Sequence, residues 1–177
     1  MPRRRLQRDD IARRQAAWSD RVTGLLPVLL ERLLDSEVYG QDGVRPLPPE
    51  SYGVYLFSEG GEPRYTGRVG LTERSRRAGK RFSSFRTRLN GHLQPRHSSG
   101  TYAYERTCRV FRERHLILGT RNENCANAEF MAEFRRQCEC VRRMDFRVVE
   151  INDDVVAAVF EIYTATVLDL PQSFAVS

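Results

Sequence analysis

Five side chains in this 177-residue sequence have the types and spacing to work on a phosphate ester: Tyr55, Tyr65, Arg88, His92 and Glu161. Hydrolysing a phosphodiester requires a water made nucleophilic, charge on the phosphoryl oxygens neutralised, and a leaving oxygen stabilised. Arginine offers a planar fork for the phosphate. A carboxylate can hold Mg2+ whose octahedron is completed by waters and a phosphate oxygen, and a tyrosine can take a proton from water. The tyrosine is the demanding member. Its ordinary pKa is near 10, so carrying phenolate at pH 7 costs roughly 4 kcal/mol. Positive charge from Arg68, Arg88, His92 or the metal is expected to supply much of that. Taken singly, each residue has a plainer role. A hairpin tyrosine packs, Arg88 is one more solvated charge, a glutamate in an apolar helix follows the polar stripe, and a histidine late in a helix suits the dipole.

The elements that must position these groups are readable in outline. Val54 to Phe57 and Arg64 to Val69 read as two strands joined by the turn Glu59-Gly60-Gly61-Glu62, which places Tyr55 and Tyr65 on adjacent strands. Phe82, Phe85, Leu89 and Leu93 line one stripe of a helix closed by Pro95, with Arg81, Arg88 and His92 on its flank. Residues 145–151 read as a strand, and Asn152-Asp153-Asp154 as the cap of an apolar helix, 155–168, that carries Glu161. The spacing predicts a helix over 6–22, a second over 28–34 with Pro27 in its first turn, an extended connector over 40–50, and a helix over 124–144. Residues 102–106 and 109–118 read as two strands or an irregular excursion, the alternation of Cys108 and Val110 favouring strand.

Length allows one domain with a full core. No run of about 18 apolar residues is present and the Met-Pro-Arg-Arg-Arg start lacks the apolar segment of an export signal, so a cytoplasmic protein without a membrane span is expected. The four cysteines then read as free thiols. Cys138 and Cys140 point to different faces of a helix with no histidine pair near, which disfavours zinc. The net charge of +6 is unevenly placed: residues 62–121 hold 15 basic side chains against 4 acidic ones. Of the 29 basic residues only Lys80 is lysine. The clustering is the footprint of a polyanion-binding face, with Arg68, Arg74, Arg76, Arg77, Lys80, Arg81 and Arg86 as its candidate contacts.

Taken in order, a hairpin with two tyrosines, a basic helix with Arg-x-x-x-His, a further strand and an apolar helix with one glutamate resemble the GIY-YIG nuclease superfamily. Gly53-Val54-Tyr55 stands where its first triplet does and Tyr65-Thr66-Gly67 where its second does. The likeness covers 51–93 and 145–174. The long step from Gly67 to Arg88, followed by Phe-x-x-Arg-Leu-x-x-His, looks most like the type II restriction endonuclease branch. Arg68 departs from the lysine of many members, and Ser173 from their usual asparagine. The resemblance implies an α/β (α+β) fold with a small central antiparallel three-stranded sheet flanked by helices. The likeness leaves residues 1–44, a helical arm by their own pattern, and most of 96–144 unmatched, so 45–177 is expected to be the nuclease domain with an insertion at about 96–144. It also implies a Mg2+-dependent endonuclease, Mn2+ able to substitute, with Glu161 as metal ligand. Tyr55 or Tyr65 is then the general base, Tyr55 being preferred and Tyr65 orienting the nucleophile or phosphate. The expected partner is double-stranded DNA, in restriction-modification or antiphage defence, and cutting both strands calls for a homodimer, the arm being one candidate interface. Two rivals are a sequence-nonspecific nuclease effector or toxin and a catalytically inactive nucleic-acid-binding module.

Overall fold

A computed structural model of the chain describes residues 8–40, 44–70, 84–96 and 100–170. Its centre is a three-stranded antiparallel sheet in the order β2-β1-β3, built from β1 (Gly53–Glu59), β2 (Glu62–Val69) and β3 (Asp145–Glu150). Gly60 and Gly61, with φ of 62° and 83°, take the left-handed turn that lets β1 and β2 fold back with their native twist. The register sets Tyr55 opposite Gly67 and Phe57 opposite Tyr65, and β1 pairs on its other side with β3, Tyr55 facing Val148.

Alternation along these strands sends side chains to two cores. Tyr55, Phe57, Tyr65, Phe146 and Val148 face the helices α2 (Phe85–His92), α3 (Thr101–Glu113) and α5 (Ala128–Arg142). Val54, Leu56, Val149 and Ile151 face α1 (Arg8–Leu34) and α6 (Asp154–Val167). The fold is therefore mixed α/β, a small sheet flanked by helices with an N-terminal helix, as expected. The caps are local chemistry: the Ser84 hydroxyl accepts from the Thr87 amide at the start of α2, and Asp153 accepts from Val155 and Val156 at the start of α6.

Three expectations need correction. The two N-terminal helices are one, 27 residues long, with Pro27 inside it. Losing one backbone bond at Pro27 costs about 3 kcal/mol. Burial of Leu26, Leu29, Leu30 and Leu33 against the sheet outweighs that, at about 1.5–3 kcal/mol each. Residues 102–106 and 109–118, read as two strands or an irregular excursion, fall largely in α3, because Tyr102, Ala103, Thr107, Cys108 and Phe111 lie on one helical face and are all buried. The helix expected over 124–144 is split: α4 (Arg121–Ala126) ends at Asn127, whose side chain then accepts from the Phe130 amide to start α5. All four cysteines are free thiols. Among the described residues no helix is long and apolar enough to cross a membrane.

Candidate functional site

The centre of the site is the Tyr55 hydroxyl, on the middle strand and fully buried. Its ring tip lies over the bare backbone of Gly67, where a Cβ would come within 2.2 Å of the hydroxyl oxygen. Arg88 and His92, one turn apart on α2, both reach that oxygen. Arg88 Nε donates to it at 3.2 Å, and His92 Nε2 lies 2.8 Å away. The second tyrosine, Tyr65, is also buried and its ring sits 5.7 Å from the His92 ring. It also stacks on Tyr102 of α3, at 4.6 Å between centroids.

Burial decides the protonation of this cluster. Enclosure pushes the Tyr55 hydroxyl well above the ordinary tyrosine value, the neighbouring Tyr65 adds to the rise, and Arg88 opposes it only in part. Burial and the Arg88 charge push His92 down to about 3, so its imidazole is neutral. His92 is thus no source of positive charge for a phenolate, contrary to expectation, and it lies inside the core instead of on the helix flank. Its Nδ1 has no partner among the described residues. If Tyr55 donates to Nε2, one buried N–H is left unmet; if Nε2 donates instead, both the Nδ1 lone pair and the phenol proton are left unmet. Leaving fewer buried polar groups unsatisfied favours Tyr55 as donor and His92 Nε2 as acceptor.

Glu161 approaches from the other face of the sheet. Its carboxylate stands 3.4 Å from Arg68 Nε and is about one-third exposed, at 33%. Burial raises its pKa while Arg68 and then Arg88 pull it back. Arg68 also donates to the Asp154 carbonyl, which pins β2 to the start of α6. Arg88 links the two halves of the site: it bonds to Tyr55, and its charge is felt by Tyr55, Tyr65 and Glu161 alike. The five predicted residues therefore divide into a bonded trio, Tyr55, Arg88 and His92, with Tyr65 in ring contact and Glu161 coupled through Arg88.

Of the candidate phosphate contacts, Arg68 belongs to this site as the partner of Glu161. Arg86 is engaged by Glu50 at 2.8 Å and by the Pro48 carbonyl, tying the connector to α2. Arg74, Arg76, Arg77, Lys80, Arg81 and Ser173 lie outside the described residues. Among the described residues no group of three or more His, Cys, Asp or Glu side chains gathers to hold a metal. A Mg2+ that takes one carboxylate and keeps its waters needs no such group. A partly exposed Glu161 beside Arg68 fits that demand. Sequence reasoning missed Tyr102 because its segment was read as strand; the helical spacing of Tyr102, Ala103, Thr107 and Phe111 was the signal. No protein-family model, curated protein or solved structure matches the chain.

Proposed function

We propose that this protein is a metal-dependent DNA endonuclease with a GIY-YIG-like domain. The observation that carries the reading is the meeting of Arg88 and His92 on the Tyr55 hydroxyl, over Gly67, with Glu161 within reach of the Arg88 charge. Residue types that resemble a nuclease only by order in the chain are thereby neighbours in space.

In this reading Arg88 leaves Tyr55 to brace the scissile phosphate, since its bond to the hydroxyl is the longer of the two. That uncovers the phenol oxygen to water. Tyr55 takes the proton of the attacking water while its own passes to His92 Nε2, so a free phenolate never accumulates; the P–O bond to the leaving oxygen breaks and that oxygen takes a proton from solvent water. Tyr65 orients the water or phosphate. Glu161 would hold the Mg2+, which when bound supplies Lewis-acid neutralisation of the phosphoryl charge. Arg68 keeps that carboxylate ionised and in place. Cleavage of both strands needs two such sites, hence two copies of the chain.

The test is incubation of purified protein with plasmid DNA and Mg2+, beside Glu161→Gln. Discrete fragments that require Mg2+ and disappear in the variant are expected of a restriction-type enzyme. A smear indicates cleavage without sequence preference. Intact DNA that is nevertheless bound with a steep salt dependence sinks the enzymatic reading and leaves a binding module.

A further inference from the structure

A cleft of about 420 Å3 opens along β2, an outer strand of the sheet, and it is not used by the chemistry above. Its walls carry Arg64, Arg106 and Arg109 together with Glu59 and Asp169. It adjoins the site directly, for Tyr102 lines it and stacks on Tyr65. From Arg64 at the cleft to Arg68 beside Glu161 is four strand residues, about 13 Å.

Each arginine is held differently. Arg106 is fixed: its Nε donates to Gln137 Oε1 at 2.7 Å, Gln137 Nε2 in turn donates to Glu133, and its guanidinium lies 5.7 Å from the Tyr102 ring centroid. Arg64 pairs with the exposed Glu62 at 2.6 Å. Glu59 Oε2 lies loosely between Arg106 at 3.5 Å and Arg64 at 3.8 Å, a position that an incoming anion can take over. Arg109 is exposed and makes no ion pair among the described residues.

We propose that this cleft is a subsite for the substrate strand, holding an internal phosphodiester next to the scissile one on Arg109 and Arg106, with Arg64 at the mouth. With Arg64 paired to Glu62 and Arg106 near Glu59, Arg109 is the one wall guanidinium without an ion pair among the described residues. Its single charge matches the one negative charge of a diester and under-serves the near-double charge of a terminal phosphate, so the subsite selects chain interior over chain end. A basic groove that tracks a backbone is the general form of such sites. The proposal rests on the reading of the chain as a nucleic-acid enzyme and adds where the strand runs: along β2, from Glu161 past Tyr65 to α3.

The experiment is fluorescence anisotropy with a labelled DNA duplex in EDTA, so that binding is read without cleavage. Arg109→Ala should lower affinity several-fold and reduce the slope of log K against log salt by about one. The Arg64→Ala/Arg109→Ala double variant should lower affinity about tenfold and the slope by about two. Glu59→Gln should tighten binding, whereas Glu139→Gln, on the exposed face of α5, should not. Duplexes with and without 5′-phosphates should bind alike. Parent-like affinity and slope in the double variant overturn the subsite, whatever the protein cleaves, and so does an affinity that depends on the 5′-phosphate and loses that dependence in Arg109→Ala. If the arginine effects hold while plasmid stays intact with Mg2+, the subsite stands and the nuclease reading falls.

Discussion

Replacing Gly67 by alanine is the sharpest test of the packing that creates the site. A methyl in an open strand position usually stabilises, by roughly 0.5–1 kcal/mol relative to glycine. At Gly67 the new Cβ would stand 2.2 Å from the Tyr55 hydroxyl oxygen and 2.4 Å from Cζ. The tip of a side chain often moves aside at little cost, but this ring is walled by Phe57, Phe146 and His92, with centroids 5.8, 5.2 and 5.5 Å away. Tyr55 must therefore give up its bonds to His92 and Arg88, or β2 must shift. Two lost hydrogen bonds cost about 1 kcal/mol each, and overpacking a core adds about 1–3 kcal/mol. Net of that strand gain, Gly67→Ala should be destabilised by about 2–4.5 kcal/mol, a fall in Tm of about 4–18 °C for a domain of this size. Denaturant unfolding followed by circular dichroism measures it, beside Tyr55→Phe and the double variant. Because both changes act on one hydroxyl, the double variant should lose less than the sum of the singles. A Gly67→Ala protein as stable as its parent, or strictly additive costs, would refute the placement of Tyr55 over Gly67.

Two further outcomes are expected. His92 is neutral in the folded protein, with a pKa lowered from about 6.5 to about 3, so the unfolded chain binds its proton first as pH falls. The stability it protects is fully present above about pH 6.5 and is lost progressively between there and about pH 3. From pH 7 to pH 5 the loss is about 2 kcal/mol. His92→Asn should show a correspondingly flatter stability profile in urea titrations, and an unchanged profile would mean that the histidine titrates normally. Gly53→Ala should be destabilised by at least about 2 kcal/mol, because φ there is 148° and a Cβ would meet the Val149 carbonyl oxygen at 2.2 Å. The same denaturation assay reads it, and a parent-like midpoint would remove the case for glycine at that strand start.

What could be read in the sequence was whatever short-range physics determines. The β1–β2 hairpin follows from Gly60-Gly61 between alternating apolar runs, and α6 from Asp153 ahead of an apolar stretch. Where distant residues decide, the reading failed. Pro27 marks a helix start in isolation, and only the sheet beneath Leu26 to Leu33 keeps α1 continuous. Cys108 and Val110 alternate as in a strand, yet α5 lies where a helical face of Tyr102, Thr107 and Phe111 is buried. Asn127 serves as the end of one helix and the cap of the next, which a count of apolar spacing passes over. His92 is the instructive member of the site. Its position one turn after Arg88 was visible, whereas its burial depends on a hydrogen bond to a residue 37 positions earlier.

That burial also constrains how the site can work. At ordinary values a tyrosine and a histidine differ by about 3.5 pKa units, so moving a proton from one to the other costs roughly 5 kcal/mol. Enclosure widens the gap from both ends, raising Tyr55 and lowering His92. The arrangement described here is therefore a resting one, in which both groups are held neutral by the apolar walls around them. Charge separation becomes affordable only when the surroundings change. In the proposed mechanism, withdrawal of Arg88 toward a phosphate would admit water to the phenol oxygen and relieve the desolvation that holds the pair neutral. On the proposed nuclease reading, proton transfer and substrate docking would be one event, governed by the arginine that both Tyr55 and Glu161 feel. The site as it stands holds no activated base, and Gly67, with no Cβ, is what lets the Tyr55 hydroxyl occupy that neutral, enclosed position.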